Sequence, residues 1–380
     1  MNNTQTDTYL SEQIHRICNA IAITDQSTAP AGLSFNGVTV APGSHDTFST
    51  LEELEMQDPT VLALRTMLYQ QCYAYPFKNN ENAWADAQPT DSQKAKSHTQ
   101  YSPQHASEQL LKRENASMTD DVTPYLSAAN HGLTHWDSGW VVEAISADGQ
   151  FHVVKNKQRL KIWPGEFVCA QGVAQPAIVG TQVNLYRPSE AAHWQPGFYY
   201  AFSDNHYDPF EQGDLVRFYW NVRVAEATSL TSAITREFNR YQMPFRFKCT
   251  NLISLSERVD TAVLYLPSQY LRLGTQLVLE IHDSVNSTLD DEVPLFSQPL
   301  ARGLSMAQDP DNGSSFGMER CLRLARAIVH CVVKQKDTSQ TLGNQVLEYL
   351  QFEGLDLAMP HITPYSRNNF INGRPETSHE

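Results

Sequence analysis

A change of hydrophobic period near residue 125 constrains this chain more than any other feature. Upstream, apolar residues recur at helical spacing. Leu10, Ile14, Ile17 and Ile21 mark one stripe over 9–22, and Leu51, Leu54, Val61, Leu64 and Leu68 a second over 49–77, broken near Asp58-Pro59. Downstream, short runs alternate with a period of two. Trp140–Ala144, Phe151–Val154, Gln182–Tyr186, Gly197–Phe202, Val216–Val222, Phe245–Thr250 and Ala262–Leu266 read as strands. Helical spacing returns at about 227–241, 268–285, 315–335 and 341–352. Strands that follow strands, with a few helices between, define an α+β chain. We expect a mixed, mainly antiparallel sheet with flanking helices, preceded by a helical N-terminal region.

Four segments follow from this pattern. Residues 1–78 form the helical N-terminal region, and 79–123 a polar insertion. Residues 124–359 form the α+β domain, and 360–380 a polar, proline-bearing tail expected to fray. The insertion is rich in Asn, Gln, Ser and Thr, so it cannot bury enough apolar surface to offset ordering. It reads as a flexible linker with one short helix at 105–115.

Composition removes whole classes of function. The 28 basic and 42 acidic side chains give a net charge of −14, the wrong sign for a general nucleic-acid binder. No apolar run approaches the roughly 18 residues that a membrane span needs. The opening MNNTQTDTYL has neither a basic nor an apolar leader region, which reads as cytoplasmic. The six cysteines, at 18, 72, 169, 249, 321 and 331, include no CxxC pair and read as reduced thiols. With no paired ligand spacing and no HExxH, neither metal nor cofactor is expected. The GxSxG, P-loop and dinucleotide fingerprints are missing, so serine hydrolases, nucleotide kinases and dinucleotide enzymes gain no support.

Against this acidic total, one window inverts the sign. Arg217–Asp260 holds seven bases (Arg217, Arg223, Arg236, Arg240, Arg246, Lys248, Arg258) and four acids. Within it, PFRFKCT places Phe245, Phe247 and Cys249 on one strand face and Arg246, Lys248 and Thr250 on the other. With the phenylalanines in the core, a lysine beside an arginine has its pKa lowered by like charge and by partial burial. Such a lysine can serve as a general base near neutral pH. The plainer reading is a set of solvated strand and helix faces.

A second constellation lies in Pro299–Arg326. A strand-like LARGLSM crosses a DPDNG turn into a helix capped near Ser314 or Ser315, with Arg320 and Arg323 neighbours on the helix surface. This is either an anion site at a helix N-terminus or an ordinary capped amphipathic helix. The 13 histidines are scattered, and a lone histidine is more often structural than catalytic.

Several of these stretches, taken in order, carry a resemblance. LSAANHGLTHWDSGWVV (126–142), GFYYA (197–201), VRFYWNV (216–222), PFRFK (244–248), RVDTAVLYLPSQY (258–270) and VPLFSQPLARGLSMAQDP with GSSFGMERC (293–321) are similar to the HopA-type effector family. The similarity spans about residues 50–335, with the insertion outside it. That family includes the lyase component of class V lanthipeptide synthetases, bacterial enzymes of modified-peptide biosynthesis.

The resemblance implies an elimination. A separate kinase phosphorylates Ser or Thr of a precursor peptide, the HopA-like partner removes phosphate to leave dehydroalanine or dehydrobutyrine, and a cyclase joins these to cysteine. Such chemistry needs a base for the α-proton, charge stabilisation at the carbonyl, and cations around a departing phosphate. Residue by residue, the resemblance makes Lys248 the base. Arg217, Arg246, Arg258, Arg302 and Arg320 become the phosphate and backbone clamp, with Asp260 orienting an arginine. His206 and His135 are the candidates for an acid, though phosphate as a leaving group needs no strong one. The alternative is a non-catalytic effector or phosphopeptide-binding module on the same basic surface, and secretion as an effector stays open.

Overall fold

The computed structural model describes residues 3–25, 32–40, 58–78, 120–172, 176–205, 214–310, 314–334 and 339–363. Helix α1 (Asn3–Asn19) buries Leu10, Ile14 and Ile17, as their spacing requires. Three short antiparallel strands follow, β1 (Ile21–Asp25), β2 (Gly32–Phe35) and β3 (Val38–Thr39), which periodicity does not announce. The β2–β3 hairpin turns on Asn36-Gly37, both at positive φ (51° and 80°), the residue pair that fits the twist of a two-residue loop.

Helix α2 (Pro59–Leu68) starts where Asp58 accepts a hydrogen bond from the Thr60 amide at 2.7 Å and Pro59 occupies the first turn. Its end widens into a π turn, Tyr69–Tyr73, a device often found beside functional sites. The Leu51 and Leu54 part of the stripe lies outside the described residues. So do residues 79–119 of the 79–123 insertion, with its expected helix at 105–115.

Helix α3 (Thr123–Ala129) leads into β4 (His135–Ile145), β5 (Phe151–Lys155), β6 (Gln158–Ile162), β7 (Phe167–Cys169) and β8 (Gln182–Arg187). These form a five-stranded sheet in the order β6-β5-β4-β8-β7. It has its own small core of Trp140, Val142, Val153, Leu160, Ile162, Val183 and Leu185.

The rest of the chain builds a second sheet. Its elements are β9 (Glu190–Gln195), β10 (Phe198–Phe202), β11 (Leu215–Trp220), α4 (Ala227–Arg240), β12 (Arg246–Thr250), β13 (Ala262–Pro267), α5 (Leu271–Val285), β14 (Gln298–Ala301), β15 (Leu304–Gln308), α6 (Phe316–Lys334) and α7 (Leu342–Phe352). The seven strands run β14-β15-β11-β13-β12-β10-β9, and every pairing described is antiparallel. Each strand and helix expected beyond residue 125 is present, so the chain is an α+β protein with an N-terminal helix.

Alternation along the strands gives this sheet two covered faces. Phe218, Trp220, Phe247, Cys249 and Leu264 pack under α4 and α5, against Leu230, Ile234, Phe238, Val278 and Ile281. The opposite face turns Tyr219, Val263 and Ala307 toward α2 and α6, where Leu64, Leu68, Phe316 and Leu324 meet them in one core with Ile14 of α1. This second cover reaches only part of the face. Its remainder, on β10, β12 and the near end of β11, carries the charged side chains described next.

Candidate active site

The site begins with strand alternation. On β12, Phe247 and Cys249 are fully buried on the α4 side, while Arg246 and Lys248 point to the other face and are half-buried. Antiparallel register then fixes their neighbours. Lys248 lies opposite Tyr200 and Val263, and Arg246 opposite Phe202 and Tyr265. Tyr265 in turn lies opposite Arg217, so one row across four strands reads Phe202, Arg246, Tyr265, Arg217.

The arginines are held by aromatic faces and carboxylates. The Tyr265 ring centre is 4.8 Å from the Arg246 guanidinium carbon and 5.2 Å from that of Arg217, so one ring serves two cations. Arg217 donates through Nε at 2.6 Å to Asp309, which also lies 2.5 Å from its Nη2. Arg258, in the loop before β13, forks onto Asp260 with bonds of 2.8 and 2.9 Å. Its guanidinium sits 5.8 Å from both the Tyr75 and the Phe198 rings. Burial works against the Arg258 charge, and Asp260 together with Tyr69 and Tyr75 outweighs it, raising its pKa.

Lys248 is treated differently. Its Nζ lies 3.8 Å over the centre of the Phe198 ring, and among the described residues no hydrogen bond or ion pair reaches it. Burial pulls its pKa down to about 7. Asp260 opposes that shift, and Arg258, Arg217 and Arg246 add to it. The result is an amine that is substantially neutral at physiological pH, surrounded by three guanidiniums that are not. Even with Lys248 neutral, three guanidiniums against two carboxylates leave the cluster net positive, able to hold an anion and to accept a proton beside it.

The structure therefore brings together Lys248, Arg217, Arg246, Arg258 and Asp260. The other named residues lie elsewhere. Arg302 sits in the β14–β15 turn, paired with Asp291, while its carbonyl accepts a hydrogen bond from His282 Nε2 at 2.9 Å. Arg320 is wholly buried on α6. It donates to the carbonyls of Pro360 (2.8 Å) and Ile362 (2.9 Å), pairs with Glu319, and lies 4.7 Å from the Phe316 ring centre. It pins residues 360–363 of the segment expected to fray. Helical spacing could not show this, because the carbonyls that hold Arg320 come from 40 residues away. His135 belongs to the five-stranded sheet, where its Nδ1 lies 2.9 Å from the Leu133 carbonyl. His206 lies outside the described residues.

Sequence reasoning missed Asp309, Tyr265, Tyr200, Phe198 and Tyr69. Tyr200 and Phe198 carried a signal, since they alternate with Tyr199 and Ala201 on the strand beside Lys248. Asp309 and Tyr69 carried none, because sequence distance hides both. Among the described residues, no group of three or more His, Cys, Asp or Glu side chains could hold a metal ion, and no helix is long and apolar enough to cross a membrane.

Comparison with known proteins finds a family similar to this sheet. No curated protein matches the chain. Among the solved structures that do are two effector proteins of Pseudomonas syringae, one from pv. tomato strain DC3000 and one from pv. syringae strain 61. They share 18% and 16% identity, with TM-scores of 0.35 and 0.32. Each match covers 43% of this chain and 62% of the other, so the chain spans less than two thirds of those structures. The model of the HopA1 effector protein family matches residues 189–362, a span that holds all seven strands of the larger sheet and the whole cationic cluster. Over those residues, a little under half of the chain, the sequence is similar to the HopA1 effector protein family.

Proposed function

We propose that this protein is a lyase that eliminates phosphate from phosphoserine or phosphothreonine in a peptide, leaving dehydroalanine or dehydrobutyrine. One observation carries the reading: a lysine poised near pH 7 lies within the fields of three charged arginines. A site built only to hold phosphate has no use for a neutral lysine, since each lost charge weakens the grip. An elimination needs both kinds of group.

In the proposed reaction the neutral Lys248 amine takes the α-proton, and the Cα–H electron pair forms the Cα=Cβ bond. The Cβ–O bond breaks, and its electrons leave with phosphate. Arg217, Arg246 and Arg258 offer N–H donors to the phosphate oxygens and to the carbonyl as charge develops on it. The ester reacts in its monoprotonated form, so phosphate departs as the hydrogen phosphate dianion while Lys248 keeps the α-proton as an ammonium, and the reading assigns no step to His135 or His206. A separate kinase would supply the phosphorylated precursor, and a cyclase would consume the alkene.

The test is to mix the protein with phosphothreonine peptides and follow their mass. Loss of phosphoric acid is expected. Release of phosphate with the alcohol restored, or an unchanged peptide throughout, overturns the reading. Lys248→Ala separates turnover from capture: elimination is lost while phosphopeptide binding persists. If the native protein binds without eliminating, the same surface is a binding module.

A further inference from the structure

The cationic cluster continues, on the same sheet face, into an exposed aromatic shelf. Tyr200 and Phe202 are the β10 neighbours of Lys248 and Arg246. On the next strand, β9, Trp194 is 66% exposed. Its ring makes edge contacts with Phe202 at 4.9 Å and with Tyr200 at 5.5 Å. Tyr200 is fixed from the side by its hydroxyl, which donates to Gln195 Oε1 at 2.7 Å. Lone exposed aromatics are ordinary on protein surfaces, but three rings propped on one another, next to a site for a charged group, are not.

We propose that Trp194, Tyr200 and Phe202 form a recognition subsite for an apolar side chain of the phosphorylated peptide. The proposal rests on the reading above that the neighbouring cluster holds a phosphorylated residue. Continuity argues for that occupant, because whatever places a phosphate against Arg246 lays its next residues either over these rings or away from them. Strands lie about 4.8 Å apart, so β9 is about 10 Å from β12. An extended peptide covers that in about three residues at roughly 3.3 Å each. The side chain read here therefore stands about two or three positions from the phosphorylated one. The arginines then supply affinity for any phosphopeptide, and the aromatic shelf supplies the choice among them.

The test measures binding to the full chain by fluorescence anisotropy. The probes are labelled phosphothreonine peptides of Gly and Ser, carrying one Phe or one Ala at each position two or three residues to either side. One position is expected to favour Phe by about tenfold, the worth of partly burying a ring. Trp194→Ala removes that preference, Trp194→Phe keeps most of it, and Arg246→Ala weakens both peptides alike while the preference stays. A benzoylphenylalanine at the preferred position crosslinks to the segment bearing Trp194, which gives a readout on the native protein. The absence of any Phe preference, its survival in Trp194→Ala, or crosslinking elsewhere overturns the subsite. Because binding is read without turnover, the two readings fail separately. A Phe preference without elimination from any peptide removes the lyase and leaves the subsite, and elimination without preference does the reverse.

Discussion

Lys248 Nζ stands 3.8 Å from the centre of the Phe198 ring, a diagonal neighbour across the β10–β12 pair. An aromatic face attracts an ammonium and favours its charged form. The lysine nevertheless titrates near 7, so that attraction is outweighed by burial and by the guanidiniums of Arg258, Arg217 and Arg246. Burial and the guanidiniums push the pKa down while Asp260 holds it up. The balance falls where a base is useful.

That balance sets the pH dependence. An ordinary lysine titrates near 10.5 and this one near 7, so its neutral fraction grows as pH rises through 7. The rate of elimination, read as kcat/KM, is expected to climb with unit slope below that point and to level above it. Stability carries the same signature. Between about 7 and 10.5 the unfolded chain binds a proton that the folded chain does not, so stability rises with pH across that window. Lys248→Ala removes this contribution. A rate that is flat through pH 7, or that falls as pH rises there, contradicts the assignment.

Phe198→Leu isolates the ring. The substitution keeps apolar bulk and removes the face that steadies the ammonium, so the lysine pKa drops further. A cation–π contact of about 1 kcal/mol corresponds to a shift of roughly 0.7 units. The rising limb of the rate profile should move to lower pH by about that much. A limb that stays in place, or moves up, shows that the ring contact does not bear on the titration.

Two arginines separate stability from phosphate capture. Arg320 is enclosed by α6 and the carbonyls of Pro360 and Ile362. Arg320→Ala strands two carbonyl acceptors in the interior and leaves Glu319 with Arg323 alone, at a cost of about 3 kcal/mol in urea unfolding. The folded fraction should bind phosphopeptide with unchanged affinity. Arg217→Ala lies in the cluster and should instead weaken that binding about tenfold or more. Equal losses of affinity in both variants would return Arg320 to the site.

The degree to which all this was legible follows the range of the interactions. The side that Lys248 faces was readable, because a strand's alternation is local and Phe247 and Cys249 had to go inside. The charged neighbours Arg217 and Arg258 entered through resemblance, and register explains why they meet: Arg217 reaches Arg246 only through Tyr265 on the strand between them. Asp309, 92 residues beyond Arg217, sits in a turn that looks like any other until β15 is paired with β11. Arg320 shows the opposite failure. An arginine after a helix start reads as surface, and only the returning chain at 360–363 makes it core.

Packing behind the site yields the last prediction. Gly317 lies in the first turn of α6, and a Cβ there would stand 2.3 Å from the Tyr73 ring. Tyr73 cannot retreat, since it is buried, stacked on Tyr69 at 5.3 Å and set edge-on against Tyr219 at 6.4 Å. Helix propensity alone predicts that Gly317→Ala stabilises the chain by about 0.5–1 kcal/mol. Overpacking costs about 1–3 kcal/mol and wins, so we expect a net loss in urea unfolding. Tyr69 interacts with Arg258, so pressure on the π turn should also disturb the cluster and lower phosphopeptide affinity. Tyr73→Ala made in the same chain relieves the clash and restores part of what Gly317→Ala loses relative to Tyr73→Ala alone. If Gly317→Ala raises stability instead, α6 and the π turn are not in the close contact that places Tyr69 beside the arginine.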